Sequence, residues 1–539
     1  MAIFSDRLTL PTKVLTHARI LRNVTVGAAC DEDRADGVRK SRRCEDPDVQ
    51  AMMTAGTESV AWVRQELACA DLSDKRLDRR LMKTAEYLAQ SPNSPINEAC
   101  GTWAGTQAAY RLFNNPKASP AKILKPHRKA TAARMAGCGG VVLVMQDTVF
   151  FSYGTHVKTR GLGPIGKSSA AHDRGLIMHN ALAFTTQGVP LGILSQSIWA
   201  RREVPVEDYQ EKIERLQVTA IEEKESAKWL VALTETVERA PLGVAVVTVA
   251  DRESDFFEFL THAHDLQAHY LIRARTDRKL VPEDSAGCVR MQEALSDAPA
   301  LGSMVIEVPG NGRRKARMAT IEVRIAEVAI PPPQRRGAAK TSGSIDPVTV
   351  TLIGATEFSP PAGVEPISWV LLTNLIVKDF ASATEKVRWY GRRWGIEIWH
   401  QPYGRQCKVL KSGCKVEDCL LEEACRLKRY LTLFSIIGVR LMHVTYLARA
   451  HPDRPATEVF SGEEIEALHI RVTRALPPAD PAPTLREMVR MLGRLGGHLG
   501  RKGDGEPGVT VLWRGWTSLY ETVETLRALQ QVVNPRDSG

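Results

Sequence analysis

Two stretches of this chain belong in the middle of a sheet. Val141-Val-Leu-Val-Met145 and Val244-Ala-Val-Val-Thr-Val249 are apolar almost without interruption. A strand with one wet face alternates, whereas a strand covered on both faces reads as a continuous apolar run. Each run ends on an acid, in Gln146-Asp147 and in Ala250-Asp251. After the first come FFSYGTH, HNALAFTT and VPLGILSQSIW at hairpin-like intervals. EEKESAKWLVALTETVERA then has helical period, and a helix over Phe256–His264 and a strand, HYLIRAR, follow the second run. The pattern predicts an α/β core, a mixed sheet flanked by helices.

The flanks read differently. Residues 1–52 are charged and poor in large apolar side chains, the composition of a weakly ordered extension. From 53 to 125 the pattern is helical and basic, with Leu67, Leu72, Leu77, Leu81, Ala85 and Leu88 beside Lys75, Arg76, Arg79 and Arg80. Between 285 and 375 the signals are β (MVIEV, TIEVRIAEV, VTVTLIG, SWVLLTNL), interrupted by the polar PPPQRRGAAKTSGSIDP. Helical pattern returns at Ser382 and runs to the end. Ser382-Ala-Thr-Glu385 has capping-box spacing, which predicts a helix start there and one helix through Glu397.

A chain of 539 residues is too long for one core. Its net charge of +10 favours a polyanionic partner, nucleic acid before a membrane surface. No apolar run is read as approaching the roughly 18–20 residues of a membrane span. The N-terminus lacks a secretory pattern, and ten cysteines without regular spacing fit reduced thiols. The expectation is a cytoplasmic protein with no membrane partner.

An Asp at a strand end is ordinarily a turn residue or a helix cap. Asp147 and Asp251 at one edge of one sheet are less ordinary, because paired carboxylates suit Mg²⁺, a hard ion that takes oxygen ligands. Glu397 is the third candidate. Tyr390 lies seven residues before it with Arg393 between, all near one stripe of a helix. Such a stripe is a solvated surface or, beside two aspartates, a metal site with a phosphate-binding edge. Three carboxylates holding two metals about 4 Å apart would serve phosphodiester cleavage.

Two rivals carry less. Gly161-Leu-Gly-Pro-Ile-Gly-Lys-Ser168 satisfies GxxxxGK[ST], but HVKTR before it is not an apolar strand, SAAHDRG after it is not a helix, and Pro164 lacks an amide. A nucleoside triphosphate site is therefore not expected. Cys407, Cys414, Cys419 and Cys425 contain no CxxC pair, which argues against zinc.

The ordered strings MQDTVFFSY, EKESAKWL, VADRESD, SWVLLT and Tyr390-x₂-Arg393-x₃-Glu397, with AAYRLFNNP and LWRGW outside them, resemble the insertion-sequence-four family of bacterial DDE transposases over roughly residues 55–535. The resemblance implies a ribonuclease-H-like core (126–284 and 376–445) with a β-rich insertion (285–375). It also implies a helical DNA-binding domain (53–125) and a C-terminal helical dimerisation region (446–539). Asp147, Asp251 and Glu397 would be the catalytic triad on two Mg²⁺, with Mn²⁺ as a substitute. Tyr390, Arg393, Lys408 and Lys411 would grip phosphates, Trp369 would stack on a flipped base, and Arg252 and Arg111 would touch DNA. The implied activity is cut-and-paste transposition: nicking at transposon ends, hairpin formation and strand transfer. The implied partners are double-stranded DNA, as inverted-repeat ends and target, and a second copy in a synaptic dimer.

One departure bears on activity. The family continues E-x₃-K-x₂-K, whereas here QPYGRQC (401–407) intervenes before Lys408 and Lys411. A continuous helix would carry both lysines about 10 Å along its axis. Pro402 opposes continuity by about 3 kcal/mol and Gly404 by about 1. A looped-out segment would return the lysines, and Arg405 is a candidate replacement. The alternative is a relative that binds DNA without cutting it.

Overall fold

The structure is a computed structural model that describes residues 61–166, 174–203, 208–282, 289–308, 317–333, 346–400, 409–501 and 503–533. The extension 1–52, Lys408 and the 401–407 segment lie outside the described residues.

The chain begins with a helical unit, α1 (Ala61–Leu67), α2 (Lys75–Gln90), α3 (Ile96–Cys100) and α4 (Trp103–Asn114). Asp74 starts α2 by accepting from the amides of Arg76 and Leu77. Leu67, Leu72, Leu77, Leu81 and Leu88 are buried, as their spacing predicts. Next, α5 (Pro120–Cys138) runs without a break through residue 125 and packs on the sheet.

The middle of the chain is β1 (Val141–Ser152), β2 (Gly163–Pro164), β3 (Arg174–Thr185), β4 (Pro190–Trp199), α6 (Tyr209–Val218), α7 (Ala227–Arg239), β5 (Ala245–Ala250), α8 (Phe257–Asp265), β6 (His269–Arg273) and α9 (Met291–Asp297). It continues with β7 (Ala300–Val308), β8 (Arg317–Ile330), β9 (Val348–Glu357) and β10 (Ser368–Thr373). All these strands form one sheet, ordered β2-β3-β1-β5-β6-β10-β9-β8-β7, with β4 also on β3. β1, β5 and β6 are mutually parallel and every other pairing is antiparallel. The β-rich segment therefore extends the central sheet through β10 on β6.

The two apolar runs are its centre, and helices cover both faces. On one face Leu143, Met145, Val247 and Val249 join the main core. On the other, Val142 and Val144 pack with Ala232 of α7. This is the mixed sheet flanked by helices that the apolar runs require.

The helical return is α10 (Phe380–Arg392), α11 (Trp394–His400), a wide helical turn at Val409–Gly413, then α12 (Ala424–Ala450), α13 (Gly462–Thr473), α14 (Leu485–Leu495) and α15 (Val509–Val533). Two expectations need correction. Ser382 does not cap the helix. Asp379 does, accepting from the Ser382 amide at 2.7 Å, while the Ser382 hydroxyl takes the Asp379 amide at 3.2 Å. Nor is the helix through Glu397 uniform. The Arg393 amide bonds Tyr390 and the Ile396 amide bonds Arg393, three residues back in each case, so the helix tightens between α10 and α11.

A third correction concerns membranes. α12 is long and apolar enough to cross one, but 83% of its most apolar window is buried inside the protein. It packs against α5, β4, α14 and α15 as the spine of the molecule. The sequence pattern hid this length because Arg429 and Arg440 interrupt the apolar run, and both find carbonyl partners inside.

Candidate active site

Register brings the two aspartates together. Met145 pairs with Val249 across parallel β1 and β5. Two residues further along each segment come Asp147, within β1, and Asp251, the first residue past β5, at the ends of neighbouring strand tracks about 4.8 Å apart. Side chains alternate, so both point to the face that carries Met145 and Val249. Asp147 Oδ1 accepts from the Thr148 amide at 2.8 Å. Asp251 caps the single turn Arg252–Ser254, its Oδ1 accepting from the Glu253 amide at 2.9 Å. The ordinary capping role thus holds for Asp251. Burial, and then the charge of Asp147, push the Asp251 carboxyl up to about 6.

α11 packs on β1 and brings the third acid. Glu397 is ion-paired with Arg393, one helical turn earlier. Arg393 is 8% exposed and lies over the Tyr390 ring, 5.6 Å from its centroid. Burial works against its charge, yet Tyr390, Glu397, Asp147 and Asp251 together hold its pKa above the ordinary value. One guanidinium therefore answers all three candidate carboxylates. Among the described residues, no group of three or more His, Cys, Asp or Glu stands ready to hold a metal ion. Glu397 is turned to Arg393, which leaves Asp147 and Asp251 as a pair of hard oxygen donors that repel each other. That donor pair fits a divalent cation such as Mg²⁺.

Beside the acids opens a cavity of about 1030 Å³. Arg252, Arg273, Arg275 and Arg393 line it, against the acids Asp277 and Glu365, together with Trp369, Tyr390 and Trp394. Trp369 is only 6% exposed and meets Tyr390 and Trp394 edge to face, at 5.3 and 6.2 Å between centroids. Trp394 is half-buried and is the more open ring. Arg252 and Arg275 also line a second cavity of about 480 Å³, where Lys228 is ion-paired with Glu225 and Glu253.

Asp147, Asp251, Glu397, Tyr390, Arg393, Trp369 and Arg252 thus gather in one place. Arg111 does not. It sits exposed on α4, bonded to Gln107. Lys411 is also elsewhere: its ammonium pairs with Glu417 at 2.8 Å, and Glu417 accepts from the Ser152 amide at the end of β1. Ser152 lies five residue steps beyond Asp147 along the strand, roughly 17 Å. Sequence reasoning missed Arg273, Arg275 and Trp394. The signals available were the alternating arginines of HYLIRAR and the tryptophan directly after Arg393.

The acid pair and the arginine- and tryptophan-lined cavity lie between two helical blocks in the chain, and both blocks have known counterparts. Residues 59–118, which contain α1 to α4, match the family described as Transposase DNA-binding. Residues 436–533, from within α12 to the end of α15, match the Transposase Tn5 dimerisation domain. Both matches are to transposase domains, one for DNA binding near the start of the chain and one for dimerisation near its end. Over these two domains the chain is similar to transposases of the insertion-sequence-four and Tn5 type.

Proposed function

We propose that this chain is a DDE transposase that cuts transposon ends at Asp147, Asp251 and Glu397 and rejoins them to target DNA. The observation that carries the reading is the register-matched acid pair, tied to Glu397 by one shared arginine at the mouth of the cationic cavity. The strand order β4-β3-β1-β5-β6, with β1, β5 and β6 parallel, supports a ribonuclease-H-like core. The strands β7 to β10 fall between Asp251 and Glu397, where a β-rich insertion is expected.

In this reading Arg252, Arg273 and Arg275 seat the phosphates, and Trp369 and Trp394 offer ring faces to an unstacked base. A phosphate entering the cavity competes with Glu397 for Arg393 and releases that carboxylate toward the aspartates. Asp147, Asp251 and Glu397 would then hold Mg²⁺, which when bound activates water or a 3′-hydroxyl and stabilises the leaving oxygen. Hydrolysis at the end, hairpin formation by the freed 3′-hydroxyl, and strand transfer follow as the family's chemistry. Two copies, paired through the C-terminal region, would hold two ends.

A second reading has its own observation. Lys411 is spent on Glu417, roughly 17 Å along β1 from Asp147, which favours a relative that binds DNA and cuts it poorly. The test is Mg²⁺-dependent cleavage of DNA bearing the termini of the encoding element, by the parent, Asp147→Ala and a deletion of 401–407. Cleavage by the parent that Asp147→Ala abolishes upholds the first reading. Binding without cleavage, with cutting gained on deletion, upholds the second. Equal cleavage by Asp147→Ala sinks the site.

A further inference from the structure

We infer that His179 is a positioning residue for Asp147, a clamp that holds β1 on both sides of that carboxylate. The inference rests on the reading of Asp147 as a metal-holding group. Strand alternation sends Gln146 and Thr148 to the face opposite Asp147. His179 of β3 is the register partner of Thr148. Its ring reaches both neighbours: Nδ1 lies 2.9 Å from Thr148 Oγ1, and Nε2 lies 3.3 Å from Gln146 Oε1. An amide oxygen only accepts, so Nε2 carries the proton and Nδ1 accepts from the Thr148 hydroxyl. The ring also packs edge-on against Trp229 of α7, 4.5 Å between centroids.

These polar side chains border a patch of Val142, Val144, Ala181 and Ala183, with Gln146 and His179 fully buried. A position that needed only filling would favour an apolar side chain, because a buried polar group is costly unless bonded. The Gln146 amide nitrogen has no partner, so the arrangement is not explained by complete satisfaction either. It is explained by what lies between its two arms. His179 holds the residues directly before and after Asp147, and the Thr148 amide is the donor to Asp147 Oδ1. Thr148 thus faces both ways, hydroxyl to the imidazole and amide to the carboxylate. Groups that orient a metal's ligands from behind typically govern its affinity ten- to a hundredfold.

The test uses the full chain bound to DNA and reads Mn²⁺ affinity by electron paramagnetic resonance, alongside melting temperature and DNA affinity. His179→Phe keeps a ring against Trp229 and makes neither hydrogen bond. It is expected to weaken Mn²⁺ binding about ten- to a hundredfold with DNA affinity unchanged, and to lower melting only as far as the two unmade hydrogen bonds require. His179→Asn, which keeps an acceptor near the Nδ1 position, should recover part of the loss. Thr148→Val removes one arm and should weaken Mn²⁺ several-fold, and it carries the test should His179→Phe not fold. Parent-like Mn²⁺ affinity in the folded variants overturns the inference. So does a loss that tracks a falling melting temperature and is not recovered by Asn. Asp147→Ala separates the two readings: if it binds Mn²⁺ as the parent does, the carboxylate assignment fails and the clamp with it. If it loses Mn²⁺ while His179→Phe does not, the clamp alone is overturned.

Discussion

Arg393 does for the acids what a cation would do. It is buried, ion-paired with Glu397, and felt electrostatically by Asp147 and Asp251. Removing it leaves clustered carboxylates uncompensated, a defect that typically costs about 3–5 kcal/mol. Arg393→Ala should therefore lower the unfolding free energy in denaturant titrations by roughly that amount. Millimolar Mg²⁺ should restore a large part of it, since the ion takes over the guanidinium's role. A deficit indifferent to Mg²⁺ would detach Arg393 from the acids. Asp251 gives the converse case. Its carboxyl is raised from 3.8 to about 6, so between those values the folded chain holds a proton that the unfolded chain releases. Stability is lost as pH rises through that window. Asp251→Asn keeps the cap and removes the charge, and should be more stable than the parent at pH 7 by about 1–3 kcal/mol, with the gap closed near pH 4. Equal melting at both pH values would contradict the raised carboxyl. Both aspartates were legible because an acid after an unbroken apolar run is a local signal. Arg273 and Trp394 were not, because their convergence depends on β6 pairing with β10, which lies about a hundred residues downstream.

At the level of elements, the return helix shows how two overlapping caps deceive. Asp379-x₂-Ser382 and Ser382-x₂-Glu385 both have box spacing, and the carboxylate upstream takes the role. Glu385 is left to an ion pair with Lys386. Asp379→Ala should cost about 0.5–2 kcal/mol, while Glu385→Ala should stay within about 0.5. Urea titration of the two variants distinguishes them, and reversed costs would restore the downstream cap. The turn at Val409–Gly413 matters more for function. Glu417 occupies Lys411 with the kind of charge a DNA phosphate carries. Glu417→Gln keeps the acceptor for Ser152 and releases the lysine's counter-charge. If Lys411 can reach DNA, the slope of log affinity against log salt should steepen by about 0.9 for duplex DNA. An unchanged slope would mean that the turn holds Lys411 out of reach. The sequence marks this turn as displaced but not where it goes, because an insertion in a helix fixes neither bend nor register.

Across the whole molecule, α12 is the member that head, sheet and tail share. It packs on the sheet at β4, lies against α14 and α15, and bonds the end of α4 through Arg429 and the Phe113 carbonyl at 2.9 Å. The head is fastened a second time by Glu66 of α1, which takes both Arg134 nitrogens at 2.8 and 2.9 Å and His127 Nδ1 at 2.5 Å. His127 Nε2 accepts from the Ile193 amide of β4, so the imidazole donates from Nδ1 and links head to sheet. None of these three residues drew notice as a sequence, since each is an ordinary polar position on a helix and only the packing makes them neighbours. Burial alone would raise the Glu66 carboxyl, but His127 and Arg134 overcome it and hold it well below the usual range. A carboxyl depressed in the folded state stabilises fully above its unfolded value of 4.5, and that stability is lost as pH falls through the folded value. Glu66→Gln should therefore cost about 3–5 kcal/mol at pH 7, since it strands Arg134 in a part-buried site. The difference from the parent should shrink steadily below pH 4.5. Because the clasp joins the DNA-binding head to the sheet that holds Asp147, the same variant should also expose the α1–α5 junction to proteolysis before the sheet unfolds. A single transition, with head and sheet melting together and no pH-dependent gap, would show that α12 alone holds them.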